Sequence, residues 1–92
     1  MKRCEYKVPG GKLLCAKVDV TNDRISSLQI SGDFFLLPET DLEDLEVQLI
    51  GMEAAPDVIK DKVNSFFGER KTTIVGASPD EFAHVINTAI SS

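Results

Sequence analysis

Hydrophobic and polar positions alternate through the first third of the chain. Cys4, Tyr6 and Val8 interleave with Glu5 and Lys7, and Leu14, Ala16, Val18 and Val20 with Lys17 and Asp19. After a polar break at Thr21-Asn22-Asp23, the residues Ser26, Leu28 and Ile30 keep the same period. A period of two marks strands with one buried face, so this region predicts three strands. Partners across a ladder share a face, and the apolar positions are even-numbered, so even must pair with even. The turn Pro9-Gly10-Gly11 joins the first two strands with Val8 opposite Lys12, Tyr6 opposite Leu14 and Cys4 opposite Ala16. A two-residue turn at Asn22-Asp23 would pair even with odd. A three-residue connection, Thr21-Asn22-Asp23 with Asp23 left-handed, is therefore expected, setting Ala16 opposite Leu28 and Leu14 opposite Ile30.

Beyond residue 38 the period changes to that of helices. Thr40 and Glu43 have capping-box spacing, Leu42, Leu45, Leu49 and Ile50 form a stripe, and Gly51 takes the C′ position. Pro56 opens a second helix, whose face of Ile59, Val63, Phe66 and Phe67 closes at Gly68. The third has the fullest signature: Ser78 as cap, Pro79 in the first turn, Glu81 closing the box, and a stripe of Phe82, Val85, Ile86, Ala89 and Ile90. Thr72-Thr73-Ile74-Val75 reads as extended, with its place in or outside the sheet open. The predicted class is α+β, a single domain over residues 1–92, in which a three-stranded antiparallel meander is followed by three helices on one face.

Composition adds exclusions. At 92 residues, 42% hydrophobic and 27% charged, the chain is one ordinary globular domain and not a coiled coil, collagen or disordered tail. No apolar run approaches the ~20 residues of a membrane span, and residues 1–15 lack a signal peptide's apolar core, so a cytoplasmic protein is expected. Charge is uneven: residues 1–31 carry a net +3, residues 32–57 a net −8 with no base, and the rest balances. The overall −5 disfavours nucleic acid as a partner. The acidic block reads either as a solvated helix face or as a surface that steers a basic partner.

Self-sufficient chemistry is hard to find. Two cysteines and one histidine cannot close a structural zinc site, so no metal is expected. Cys4 and Cys15 fall on opposite faces of the predicted sheet, which argues against a disulfide between them. His84 lies opposite the last helix's apolar stripe and reads as exposed. There is no P-loop, dinucleotide fingerprint or nucleophile elbow, and carboxylates on one exposed helix face have no pocket to shift their pKa values. No catalytic residue is assigned. The most informative stretch is Ser31-Gly32-Asp33-Phe34-Phe35-Leu36-Leu37-Pro38-Glu39. Adjacent aromatics in extended chain point to opposite sides, so the segment is either a buried crossover or a docking edge with one ring exposed.

The run Tyr6-Lys7-Val8-Pro9-Gly10-Gly11-Lys12-Leu13-Leu14, with Val18-Asp19-Val20, Arg24-Ile25, Ile30-Ser31-Gly32-Asp33-Phe34-Phe35 and Pro38-Glu39, resembles the small accessory domain of lipoate–protein ligases. Ile74-Val75-Gly76-Ala77-Ser78-Pro79-Asp80-Glu81-Phe82 resembles the entry to that family's last helix. With the domain standing alone from Met1, the likeness is to the split form known among archaea. The resemblance implies the small α+β fold also seen in sulfur acceptors and iron–sulfur scaffolds. It further implies a non-catalytic subunit, paired as a heterodimer with a catalytic large subunit and needed for ATP-dependent formation of lipoyl-adenylate. The lipoyl acceptor domain is then an indirect partner. No cofactor is expected on this chain alone; ATP, magnesium and lipoate are implied for the complex. The expected partner-binding residues are Pro9, Gly10, Gly11, Lys12, Asp33, Phe34 and Phe35. The competing reading is a sulfur acceptor or iron–sulfur scaffold using Cys4 or Cys15.

Overall fold

Alternating patterns produce paired strands and helical stripes produce helices, in the order expected, with one addition. The computed structural model describes residues 2–10 and 12–92. The elements are β1 (Lys2–Val8), β2 (Lys12–Thr21), β3 (Arg24–Gly32), β4 (Phe35–Leu37), α1 (Thr40–Leu49), α2 (Pro56–Glu69), β5 (Thr73–Val75) and α3 (Pro79–Ser91). Strands β1, β2 and β3 form an antiparallel meander in that order, while β4 and β5 form a separate two-stranded ribbon. Helix α3 lies against β1 and β2, α1 against β3 and β4, and α2 packs on α3 and α1. The α+β meander-plus-helices architecture is thus the one the sequence predicts. No helix among the described residues is long and apolar enough to cross a membrane.

The first hairpin has the expected register, with Cys4↔Ala16, Tyr6↔Leu14 and Val8↔Lys12. The second differs from expectation. Thr21 pairs with Arg24 around a two-residue turn. Asn22 and Asp23 are both left-handed, at φ 54° and 62°, which these two residue types tolerate and a hairpin of this twist requires. The turn does pair even with odd at Val20↔Ile25, but an extra residue, Ser26, restores parity so that Val18 meets Leu28 and Ala16 meets Ile30. The bulge also lets Ile25 and Leu28 both enter the core, which uninterrupted alternation forbids.

Three helix expectations need adjustment. Thr40 is already helical and Glu39 occupies the cap position without a side-chain cap; the Asp41 N–H instead donates to the Pro38 carbonyl at 3.1 Å, after a cis Leu37–Pro38 bond. The helix ends at Leu49, so Ile50 is extended and exposed rather than part of the stripe. Gly68 does not end α2, which runs to Glu69. The third helix is as read, with the Ser78–Glu81 capping box formed in both directions. Phe82, Val85, Ile86 and Ala89 are fully buried below the sheet.

Candidate docking surface

The segment 72–75 joins β4 and not the main sheet. Phe35 pairs with Val75, Leu36 with Ile74 and Leu37 with Thr73. In a strand successive side chains point to opposite faces, so this short ribbon sorts its residues cleanly. Leu36 is buried, and Ile74 packs against the core. Phe34, just before the ribbon, sets its ring edge-on to Phe82 at 5.0 Å. The other face is apolar and open: Phe35 is 69% exposed, Leu37 56% and Val75 52%. Adjacent phenylalanines thus divide as extended chain demands, one inward and one out.

Two close backbone approaches fix the chain that leads from β3 into the ribbon. The Asp33 N–H donates to the Leu13 carbonyl at 2.8 Å. Gly32, at φ 148°, lies so near that a Cβ there would sit 2.2 Å from the same carbonyl oxygen. Gly76, at φ 96°, approaches the Asp33 carbonyl, where a Cβ would be 2.8 Å away. A second tie is polar. Asp41, 5% exposed, accepts from Arg70 at 2.9 Å and from the Thr72 hydroxyl, while Arg70 also reaches Asp44 at 2.8 Å and covers the Phe66 ring. Arg70 and Thr72 frame the chain just before β5.

As a result Lys12 shares an open depression of about 280 Å³ with Gly32, Asp33, Phe34 and Phe35. A smaller one of about 160 Å³, on the other flank, is lined by Phe34, Phe35, Leu36, Glu39 and Leu42. Four of the expected partner-binding residues, Lys12, Asp33, Phe34 and Phe35, therefore lie together. Pro9 and Gly10 are exposed in the turn leading to Lys12 and line neither depression; Gly11 lies outside the described residues. Leu37 and Val75 belong to the same apolar face and were not anticipated. The alternation of Phe35 and Leu37 was a usable signal, but nothing local identified Val75 as the neighbour of Phe35.

The acidic stretch splits into roles. Asp41 is buried in the tie just described, and the half-buried Glu46 accepts the Ile30 N–H at 2.6 Å. Burial pushes the Glu46 carboxyl above its ordinary range, a trend that hydrogen bonding to Ile30 opposes and the nearby Glu43 adds to. The cysteines are free and do not meet: Cys4 lies half-buried on the helix side and Cys15 is buried on the other face. Burial raises the Cys4 thiol, with the nearby Cys15 and Glu5 adding to the effect, which is the reverse of the activation a sulfur-carrying thiol needs. His84 is exposed, as expected, with the Tyr6 ring 4.6 Å away edge-on.

The family model described as bacterial lipoate protein ligase C-terminus matches residues 3–86. This chain belongs to that family. The ligase C-terminal match takes in the turn before Lys12, the Gly32–Phe35 segment and the α3 entry. Among curated relatives, the lipoate-protein ligase A subunit 2 of Thermoplasma acidophilum is 31% identical over 74 residues, covering 80% of this chain and 76% of the relative. A solved chain also superposes on 91% of this protein and 96% of its own length, with a TM-score of 0.76 and 26% identity. It comes from a study of a bi-partite lipoate protein ligase and its E2 lipoyl domain, again from Thermoplasma acidophilum. These matches favour the ligase reading over the sulfur-acceptor one.

Proposed function

We propose that this chain is the accessory subunit of a two-part lipoate–protein ligase. It joins a catalytic large subunit, is needed there for ATP-dependent activation of lipoate to lipoyl-adenylate, and carries no reactive centre of its own. Support comes first from its likeness, over most of both chains, to a protein named subunit 2 of such a ligase. The apolar ribbon face supplies what a subunit needs, an anchor of aromatic and aliphatic side chains with a charged margin. An interface of standard size takes about 800 Å² from each partner, roughly 15% of the 5276 Å² exposed here. We assign its centre to Phe35, Leu37 and Val75, supported from below by Phe34. Lys12 and Asp33 are assigned to its charged margin, with Pro9 and Gly10 in the turn beside them.

Among the described residues no group of three or more His, Cys, Asp or Glu is placed to hold a metal ion. In this reading ATP, magnesium and lipoate belong to the large subunit, and this chain's contribution is positioning. Docking covers the partner's site and holds its mobile segments, which excludes water and strengthens the electrostatics inside. Lys12 adds a cation at the margin.

Combining the chain with a large subunit, lipoate and ATP tests this by pyrophosphate release. Release is expected only with both proteins present; a large subunit that works equally well alone refutes the proposal. Lys12→Ala is expected to slow adenylate formation about tenfold, the loss of one charge-assisted contact, while transfer from preformed lipoyl-adenylate is unchanged.

A further inference from the structure

The two edges of the meander are treated differently by the fold. The β3 edge is covered by α1 and the chain between α1 and α2. Ile25 donates to Met52 at 2.9 Å, Gly51 donates to Ile25 at 2.7 Å, Ala54 donates to Asp23 at 2.8 Å, and Glu46 takes the Ile30 N–H. The β1 edge has no such cover: among the described residues its backbone bonds only to β2.

Which groups face outward follows from alternation. The Leu13 carbonyl bonds toward the β3 side, at Asp33, so the odd residues of β2 serve β3 and the even ones serve β1. Leu14, Ala16 and Val18 are opposite Tyr6, Cys4 and Lys2, which therefore spend their backbone groups inward. Arg3, Glu5 and Lys7 are left with N–H and C=O groups pointing out of the sheet. An uncovered strand of seven residues is a template for another strand.

We infer that the β1 edge accepts an extended, acid-bearing segment of the large subunit, which adds to the meander as a fourth strand. The inference rests on the accessory-subunit reading. Charge selects the occupant. Although the whole chain carries −5, this edge strand holds Lys2, Arg3 and Lys7. The edge strand's single acid, Glu5, is ion-paired with Arg3. A second copy of the chain would bring the same net-positive strand against itself, and like charges across a ladder destabilise it. The side-chain pattern is specific too. Arg3 and Lys7 flank Glu5 on the face away from the helices, so the incoming strand should carry acids four residues apart. Between them, on the same face, a neutral or basic residue meets Glu5. On the helix side, next to Cys4 and Tyr6, its residues should be apolar.

Glu5→Pro separates this from a merely structural role. It deletes an outward N–H that the fold does not use, and proline is tolerated at such edge positions. The variant should keep its thermal unfolding curve yet bind the large subunit of its own ligase at least about tenfold more weakly by calorimetry. Arg3→Glu with Lys7→Glu should weaken binding by a similar factor and flatten its salt dependence, whereas Lys17→Glu, one strand in, should change little. In the wild-type complex, hydrogen exchange at the Arg3, Glu5 and Lys7 amides should slow; this readout decides the matter should Glu5→Pro fail to fold. Absence of any binding by the wild type refutes the accessory-subunit reading itself. Binding that is unaffected by Glu5→Pro, with no slowing of exchange, overturns the edge assignment alone. So does self-association of the chain that Glu5→Pro abolishes.

Discussion

Gly32 and Gly68 show how differently one residue type is used in this chain. A methyl group at Gly32 meets the Leu13 carbonyl oxygen at 2.2 Å on a backbone already at φ 148°, whereas one at Gly68, inside α2, meets nothing. Gly32→Ala is expected to cost about 2–4 kcal/mol and Gly68→Ala to gain about 0.5 kcal/mol, read as opposite shifts of the urea midpoint. Glu46 supplies a pH-dependent case. Its folded pKa lies above the unfolded one, chiefly through burial. Its contribution is therefore fully present below the unfolded pKa and lost as pH rises through the folded value. Glu46→Gln keeps an acceptor for the Ile30 N–H without the buried charge. Relative to wild type, it should gain stability between pH 4 and pH 7 in urea titrations; a difference constant with pH contradicts this.

The ribbon depends on a tie that no single segment contains. Asp41 sits in the first turn of α1, and its partners Arg70 and Thr72 follow α2. Asp41→Ala strands the Thr72 hydroxyl and leaves Arg70 with Asp44 only, so a loss of about 2 kcal/mol is expected. The loss should fall locally, as faster hydrogen exchange at the cross-strand amides of the β4–β5 ribbon while the meander amides keep their protection. The same separation explains what the sequence could and could not disclose. The first hairpin, the buried faces of α2 and α3 and the Ser78 cap are written in neighbouring residues. The pairing of β4 with β5 is not, because each strand has three residues and two helices intervene. Asp41 and Glu46 looked like solvent-facing acids because the groups that use them lie far along the chain. The parity argument for the second hairpin failed at one residue, Ser26, since it assumed unbroken alternation. Lys12, Asp33 and Phe35 were legible as candidates from turn and aromatic chemistry; Leu37 and Val75 became candidates only once the ribbon existed.

Across the whole molecule the charge is segregated, with cations on β1 and β2 and carboxylates concentrated around α1, so its two sides present opposite fields to a partner. The apolar ribbon is a separate element of recognition. Phe35→Ser should leave unfolding free energy within about 1 kcal/mol, because the ring is 69% exposed, but should weaken association with the large subunit at least tenfold by calorimetry. Equal affinity would remove the ribbon from the interface. The stretch where β3 runs on into the ribbon carries a mechanical consequence. Where Gly32 meets Leu13 and Gly76 meets Asp33, main chain rests directly on main chain with no side chain between. Such a joint has no compressible layer, so Phe35 and Lys12 travel as one rigid lever, and little freedom is left to surrender when a neighbour grips either end.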